Sequence, residues 1–323
     1  MSSRLREIAR ENAEILAAGG YRTRSGRQVE LAAALAEAKA ETRIYGPNHV
    51  IPGEEIHRDL DARTAVEVTG ESSTVAARRL APGGLEAAAG GAAAVGGAAA
   101  VAAAEPRVAV LNFASARNPG GGYVRGAKAQ EEALCRASAL YETLLEAPEY
   151  YEVHRAERST FYTDRVIHSP GVPVFRDDRG TLLETPFQVG FLTSPAPNAG
   201  TIRRQEPERV AEIPQALARR AELVLEVAGL HGYERLVLGA WGCGVFQNDP
   251  AEVAKAFRGL LEGRFAGVFE RVVFAVLDRN PGPRRAFEGE FEGFAGYEVR
   301  VEGDGGDGGE GAEGAEGAER ADG

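Results

Sequence analysis

The sequence predicts an α/β protein of three layers, helices on both sides of a central sheet, carrying a helical extension at its N-terminus. Two features of the chain beyond residue 106 support the layers. Short apolar runs of strand type alternate with segments of helical periodicity, the pattern of an α/β/α fold. Glycine-rich loops also follow two of those runs directly, at Gly120-Gly121-Gly122 and at Gly239–Phe246, where open α/β sheets place their ligands. A third feature marks the extension: Leu5, Ile8, Ala9, Ala13, Ile15 and Leu16 recur near helical spacing before the first strand run.

Taken in order, residues 3–17 are expected to form a helix, and 21–31 a short hairpin turning at Ser25-Gly26. A second helix is expected over about 30–41. Thr64–Thr69 alternates like a strand, and Ser72-Ser73 caps a helix reaching Leu80. Arg107–Phe113 is an uninterrupted apolar run suited to a buried strand. Residues 130–147 carry Leu134, Ala137, Leu140, Tyr141, Leu144 and Leu145 on one helical face, ended by Pro148. Further strands are expected at 165–169, 187–193, 235–240 and 271–277, with helices at about 207–229 and 250–263 between the last three.

The chain has 323 residues, 44% hydrophobic and 26% charged, which fits a soluble globular protein. Its net charge is −11, of which −7 belongs to the segment from Glu302 onward and −4 to the remainder. That balance disfavours duplex DNA, whose phosphates need a basic face. An anionic ligand must then be held by backbone amides and a few local cations. Two cysteines make no disulfide framework and fit the reducing cytoplasm. Met1–Glu14 is charged and has no apolar core of signal-peptide type. Ala87–Ala104 is uncharged, but its Ala/Gly/Val composition and two glycine pairs read as a linker rather than a membrane span. The expected organisation is an extension over 1–63, a catalytic core over 64–300 with a low-complexity insert at 82–104, and an acidic, disordered tail over 301–323.

The chemistry concentrates between Asn118 and Glu132. Three consecutive glycines, Gly120, Gly121 and Gly122, expose backbone N–H groups that a diphosphate can approach without meeting a Cβ. The spacing fits neither a Rossmann fingerprint nor a P-loop, and three glycines alone also suit a tight turn. Seven residues later come Gln130, Glu131 and Glu132 at a helix start. Acidic residues there commonly compensate the helix dipole at the surface. Neighbouring helical residues diverge by about 100°, so one carboxylate is expected to face a reacting bond while its neighbour holds substrate. Two carboxylates flanking a sugar from opposite sides are not expected. A helix N-terminus lowers a carboxylate pKa, whereas a second carboxylate and a bound diphosphate raise it.

The second loop, Gly239-Ala240-Trp241-Gly242-Cys243-Gly244-Val245-Phe246, is placed to clasp the same diphosphate. Cys243 reads as a small residue in a tight loop rather than a nucleophile. Phe246 suits either the core or the wall of a ligand site. His49, His57, His154, His168 and His231 show no metal-ligand spacing, and His168 reads as a structural residue ending a strand. Neither a metal nor a cofactor is expected.

The run Leu111–Gly122 through Gln130-Glu131-Glu132 resembles the signature of poly(ADP-ribose) glycohydrolases, specifically the bacterial, macrodomain-containing type. Arg4–Glu37, Thr163–Pro170 and Gly239–Phe246 extend the resemblance. It implies a macrodomain with a mixed central sheet, and exo-type hydrolysis of the ribose–ribose O-glycosidic bond of poly(ADP-ribose), releasing ADP-ribose, with poly(ADP-ribose) or an ADP-ribosylated protein as the partner. It further implies Glu132 as acid/base, Glu131 on the ribose hydroxyls, and Gln130 setting the loop. Gly120, Gly121, Gly122, Gly242, Cys243, Gly244 and Val245 would cradle the diphosphate, Phe246 would position the terminal ribose, and Asn118 would contact a ribose. Ser115 stands about where many macrodomains carry an asparagine. The alternatives are a mono-ADP-ribosyl hydrolase and a non-catalytic ADP-ribose reader; a reader has no use for the glutamate pair.

Overall fold

The computed structural model describes residues 2–47, 49, 56, 59, 62–82, 108–277 and 280–299. Apart from Pro82, the expected insert lies outside the described residues, as does the tail.

The first element is helix α1 (Ser3–Ala17), which buries Ile8, Ala9 and Asn12. The expected hairpin is β1 (Gly20–Arg22) paired antiparallel with β2 (Gln28–Glu30). Helix α2 (Ala32–Glu41) then leads into a short strand, β3 (Arg43–Tyr45), that the sequence pattern did not reveal. Three residues are too few to display alternation.

Strand β4 (Ala65–Thr69) and helix α3 (Ser73–Leu80) come next. Ser72 caps that helix, its hydroxyl accepting the Val75 N–H at 3.1 Å. The apolar run forms β5 (Val108–Phe113). The single helix expected over 130–147 is instead broken into α4 (Gln130–Ala137) and α5 (Leu140–Leu144), followed by α6 (Pro148–Ala156). Ser138 makes the break: its backbone is extended, its hydroxyl donates to the Leu134 carbonyl at 2.7 Å, and it bridges to Val174. Pro148 starts α6 rather than ending the preceding helix, since proline is tolerated in a first turn.

A long antiparallel hairpin follows, β6 (Val166–Arg176) and β7 (Leu182–Ser194). It runs well past the expected strand limits because Pro170, Gly171 and Pro173 interrupt the alternation, and the register shifts between Ser169 and Val172. His168 therefore lies inside a strand rather than at its end. Next come α7 (Ala199–Gln205), α8 (Ile213–Leu230), β8 (Arg235–Leu238), α9 (Pro250–Glu262), β9 (Arg271–Ala275), α10 (Gly282–Phe291) and β10 (Tyr297–Glu298).

The main sheet has the order β10-β4-β9-β8-β5-β7-β6-β3. It is parallel from β10 to β7 and antiparallel over β6 and β3, so it is mixed. One face buries Leu217, Val224, Phe257 and Phe287 under α8, α9 and α10. The other buries Ala76, Leu134 and Tyr150 under α3, α4 and α6. Strand β3 supplies one edge of the sheet, and α1 is tied down by Asn12. The Asn12 amide donates to the Arg136 carbonyl at 2.9 Å, and its oxygen accepts from Arg176 Nε at 2.6 Å.

Strands β5 and β8 are parallel neighbours, yet the chain leaves β5 for the α4 face and β8 for the α9 face. Such a divergence opens a crevice at the strand carboxyl ends. Both glycine loops leave the sheet there.

Candidate active site

Gln130 is the clamp of the first loop. Its Oε1 accepts the Phe113 N–H at 2.9 Å, and its Nε2 donates to the Leu111 carbonyl at 2.8 Å and to Ser73 Oγ at 3.1 Å. One side chain thus joins the end of β5 to the starts of α3 and α4.

Glu131 and Glu132 are buried, 3% and 7% exposed, and are not dipole-compensating surface groups. Glu131 Oε2 accepts the Ser115 N–H at 2.7 Å, and Oε1 accepts from Asn112 Nδ2 at 3.3 Å. Asn112 is itself held by Thr193 Oγ1 at 3.1 Å. Burial pushes the Glu131 carboxyl up to about 8, with the nearby Glu132 carboxylate adding to the rise and the Ser115 and Asn112 bonds opposing it. Glu132 Oε1 accepts the Gly122 N–H at 2.8 Å. Its Oε2 is buried without a hydrogen-bond partner among the described residues.

Gly121 explains why the loop is glycine. Its φ is +57°, and a Cβ there would lie 2.6 Å from Glu132 Oε1 and 3.1 Å from Glu131 Oε2. Both carboxylates therefore converge on one point. This corrects the expectation that adjacent helical positions must diverge: the Cα atoms do, but the long glutamate side chains bend back to the same glycine. Asn118 is exposed at the rim, its carbonyl accepting the Gly121 N–H at 3.0 Å.

The second loop is pinned by Trp241, whose buried Nε1 donates to the Ser194 carbonyl at 3.0 Å, and by Asn248, whose Nδ2 donates to the carbonyls of Pro197 and Gly242. Gly244 and Val245 are exposed, Val245 at 84%. Burial pushes the Cys243 thiol up to about 12, so it is no thiolate nucleophile at neutral pH. Gln130, Cys243 and Gly244 line one cleft. Phe246 is half-buried, and its ring stands 5.8 Å from that of Tyr162, a residue with φ +58°. His168 is away from the crevice, bonded through Nε2 to Tyr233 Oη at 2.8 Å and stacked on His231 at 3.7 Å.

Sequence reasoning assigned no role to Asn112 and Ser115, which hold Glu131, or to Thr193, which holds Asn112. Asn112 had a signal, a lone amide within Val-Ala-Val-Leu-Asn-Phe. Ser115 acts through its backbone N–H and has none.

A mixed three-layer sheet with two glycine loops over a crevice at its strand ends, and a helix N-terminus beside them, defines a macrodomain. The profile of the microbial-type PARG catalytic domain matches residues 9–177. Among solved structures, poly(ADP-ribose) glycohydrolase (PARG) from Thermomonospora curvata is 47% identical, with 90% of this chain and all of that chain covered and a TM-score of 0.78. The same enzyme bound to the inhibitor ADP-HPD is 47% identical over the same shares, with a TM-score of 0.76. The glycohydrolase from Deinococcus radiodurans in complex with ADP-ribose is 44% identical, with 83% of this chain and all of that chain covered and a TM-score of 0.70. A search of curated proteins returned no match. This chain belongs to the microbial-type poly(ADP-ribose) glycohydrolase family.

Proposed function

We propose that this chain is a glycosidase that hydrolyses the ribose–ribose O-glycosidic bond of poly(ADP-ribose) from the chain end and releases ADP-ribose. The observation that carries the reading is the buried glutamate pair converging on Gly121. Both Glu131 oxygens already accept bonds, whereas Glu132 Oε2 is buried and has no partner among the described residues. Glu132 is therefore the acid in this reading: it gives a proton to the leaving ribose oxygen as the C1–O bond breaks and the electron pair goes to that oxygen. The oxocarbenium-like ribose is attacked by water, whose proton returns to Glu132. Glu131 orients the ribose hydroxyls.

Gly120, Gly121 and Gly122 with Gly242, Cys243, Gly244 and Val245 form the diphosphate cradle in this reading, Phe246 seats the terminal ribose, and Asn118 contacts a ribose at the rim. Gln130 is a positioning residue, because its polar atoms are spent on Phe113, Leu111 and Ser73. Residues 1–63 serve as an extension packed on a core at 64–300. No helix among the described residues is long and apolar enough to cross a membrane, and the free cysteines Cys135 and Cys243 suit a cytoplasmic enzyme.

The test is release of free ADP-ribose from an auto-modified polymerase by the wild type and by Glu132→Gln, with ADP-ribose affinity measured on both. Release by the wild type alone, at equal affinity, supports the assignment. Tight ADP-ribose binding with no release by either protein moves the reading to a reader or a mono-ADP-ribosyl hydrolase.

A further inference from the structure

Tyr162 stands in the left-handed backbone region, at φ +58°, in the turn between α6 and β6. A bulky side chain is uncommon there, and glycine or asparagine would take the same turn with less strain. The conformation is imposed from both sides. The Phe161 carbonyl, in the peptide before Tyr162, accepts from Arg220 Nη2 at 2.9 Å. The Thr163 N–H, in the peptide after it, donates to His154 Nε2 at 3.2 Å. Holding both planar peptides fixes the two torsions of the residue between them.

Both anchors lie in the interior. Arg220 is buried, and its other groups donate to the Pro195 carbonyl at 2.7 Å and to Asp164 Oδ1 at 3.1 Å. His154 is buried too. Its Nδ1 lies 2.7 Å from the Tyr150 carbonyl, which can only accept, so Nδ1 carries the proton and Nε2 the lone pair. That lone pair receives the Thr163 N–H and, at 2.8 Å, the Thr163 hydroxyl. Backbone strain persists only where the surroundings over-determine it, and such residues cluster at active sites.

What the strained turn delivers is a ring. Tyr162 is half-buried and meets the Phe246 ring at a 5.8 Å centroid separation and 39°, within the range of favourable aromatic pairs. No other aromatic ring contacts Phe246 among the described residues. The Phe246 main chain is held separately, its carbonyl accepting the Gly200 N–H at 2.9 Å. That bond sets where the loop runs, and Tyr162 sets where the ring lies.

We infer that Tyr162 is a positioning residue for the reaction: its ring, locked by Arg220 and His154, braces Phe246 at the depth that seats the terminal ribose against Glu132. The inference rests on the proposed seating of that ribose by Phe246. Misplacing the reacting carbon by about 1 Å costs on the order of 10²-fold in rate. ADP-ribose held through its diphosphate is far less sensitive to such an error, so kcat and not affinity reports the brace.

The experiment compares wild type with Tyr162→Gly, Tyr162→Asn and Tyr162→Phe, each also combined with Phe246→Ala, by kcat on polymer, Kd for ADP-ribose and Tm. Glycine and asparagine keep the turn and remove the ring, whereas phenylalanine keeps the ring. The expected result is a kcat lower by ~10–10²-fold for glycine and asparagine, recovered by phenylalanine. The Kd should stay within about threefold, and Tyr162→Gly should add no further loss to Phe246→Ala. An unchanged kcat in Tyr162→Gly overturns the inference. So does an equal loss in the Phe246→Ala background, since the ring would then act elsewhere, or a kcat that simply follows Tm through the series. If the wild type releases no ADP-ribose, the hydrolase reading fails, and fluorine NMR of para-fluorophenylalanine in place of Phe246 decides the brace separately. ADP-ribose should then shift that signal in the otherwise wild-type protein and not in Tyr162→Gly. The same response in both proteins, or none in either, overturns the brace.

Discussion

Glu132 and Gly122 are joined by a 2.8 Å bond from the glycine N–H to Oε1, which fixes the carboxyl group and leaves Oε2 buried with no partner among the described residues. A group held by one oxygen and free at the other is suited to passing a proton back and forth. Glu132→Gln keeps an acceptor for the Gly122 N–H through its amide oxygen but has no acid proton to deliver. We expect it to fold, to bind ADP-ribose with unchanged affinity, and to lose roughly 10²–10⁴-fold in kcat. Steady-state rates on polymer and calorimetric titration with ADP-ribose check this. Substantial activity in the variant would remove Glu132 from the chemistry.

Gly121 makes the pairing of the two carboxylates possible. Gly121→Ala puts a Cβ 2.6 Å from Glu132 Oε1 at a φ of +57°. The left-handed backbone costs about 1–2 kcal/mol, and the displaced carboxylate loses its bond to Gly122. The expected outcome is a modest fall in Tm with a fall in kcat/KM of at least ~10²-fold. Gly121→Asn separates the two effects, since asparagine tolerates the left-handed region but keeps the Cβ. Stability should largely return and activity should not. Recovery of both would show that crowding of Glu132 is unimportant.

Asn12 carries the attachment of α1. Its amide donates to the carbonyl of Arg136, one of the last groups of α4, and to Tyr123 Oη, while its oxygen accepts from Arg176 Nε. Arg136 lies at the end of the helix that bears Glu131 and Glu132, Tyr123 in the loop before it, and Arg176 at the end of β6. Asn12→Ala removes the partner of the Arg136 carbonyl and of the Arg176 Nε–H, while the Arg176 Nη groups keep Gly180 and Glu11, which costs about 2–4 kcal/mol. Urea unfolding measures the loss. A stability change below about 0.5 kcal/mol would show that α1 is held by its apolar face alone.

The layers and loops were legible because strong local signals coincide: an uninterrupted apolar strand, glycines directly after it, and a helical period beginning at Gln130. The break at Ser138 was not, because a hydroxyl bonding back to Leu134 leaves no mark on the hydrophobic pattern. Strand β3 was invisible for want of length, and the full β6–β7 hairpin for want of alternation around Pro170-Gly171. Within the site, the glutamates stood out by residue type and spacing. Their burial and convergence did not, since both depend on where Asn112, Ser115 and Gly121 arrive after folding.

Buried titratable groups give the folded state opposing pH slopes. Glu131, pushed up to about 8, keeps a proton that the unfolded carboxyl releases near 4.5, so stability falls as pH rises across that window. His154 and His168 are pushed down to about 4 and about 3 by burial. The unfolded chain takes up those protons below about 6.5 while the folded chain refuses them, so stability falls as pH drops below 6.5. Two histidines outweigh one glutamate between 4.5 and 6.5, and above 6.5 the glutamate acts alone. From these groups stability should peak near pH 6.5 and decline by about 1.4 kcal/mol per pH unit per proton on either side. Denaturant unfolding between about pH 5 and pH 9 checks the shape. Glu131→Gln should flatten the alkaline limb and His168→Gln should shallow the acid limb. An alkaline decline that survives Glu131→Gln would mean that another buried acid, and not the residue behind the reacting carboxyl, holds the proton.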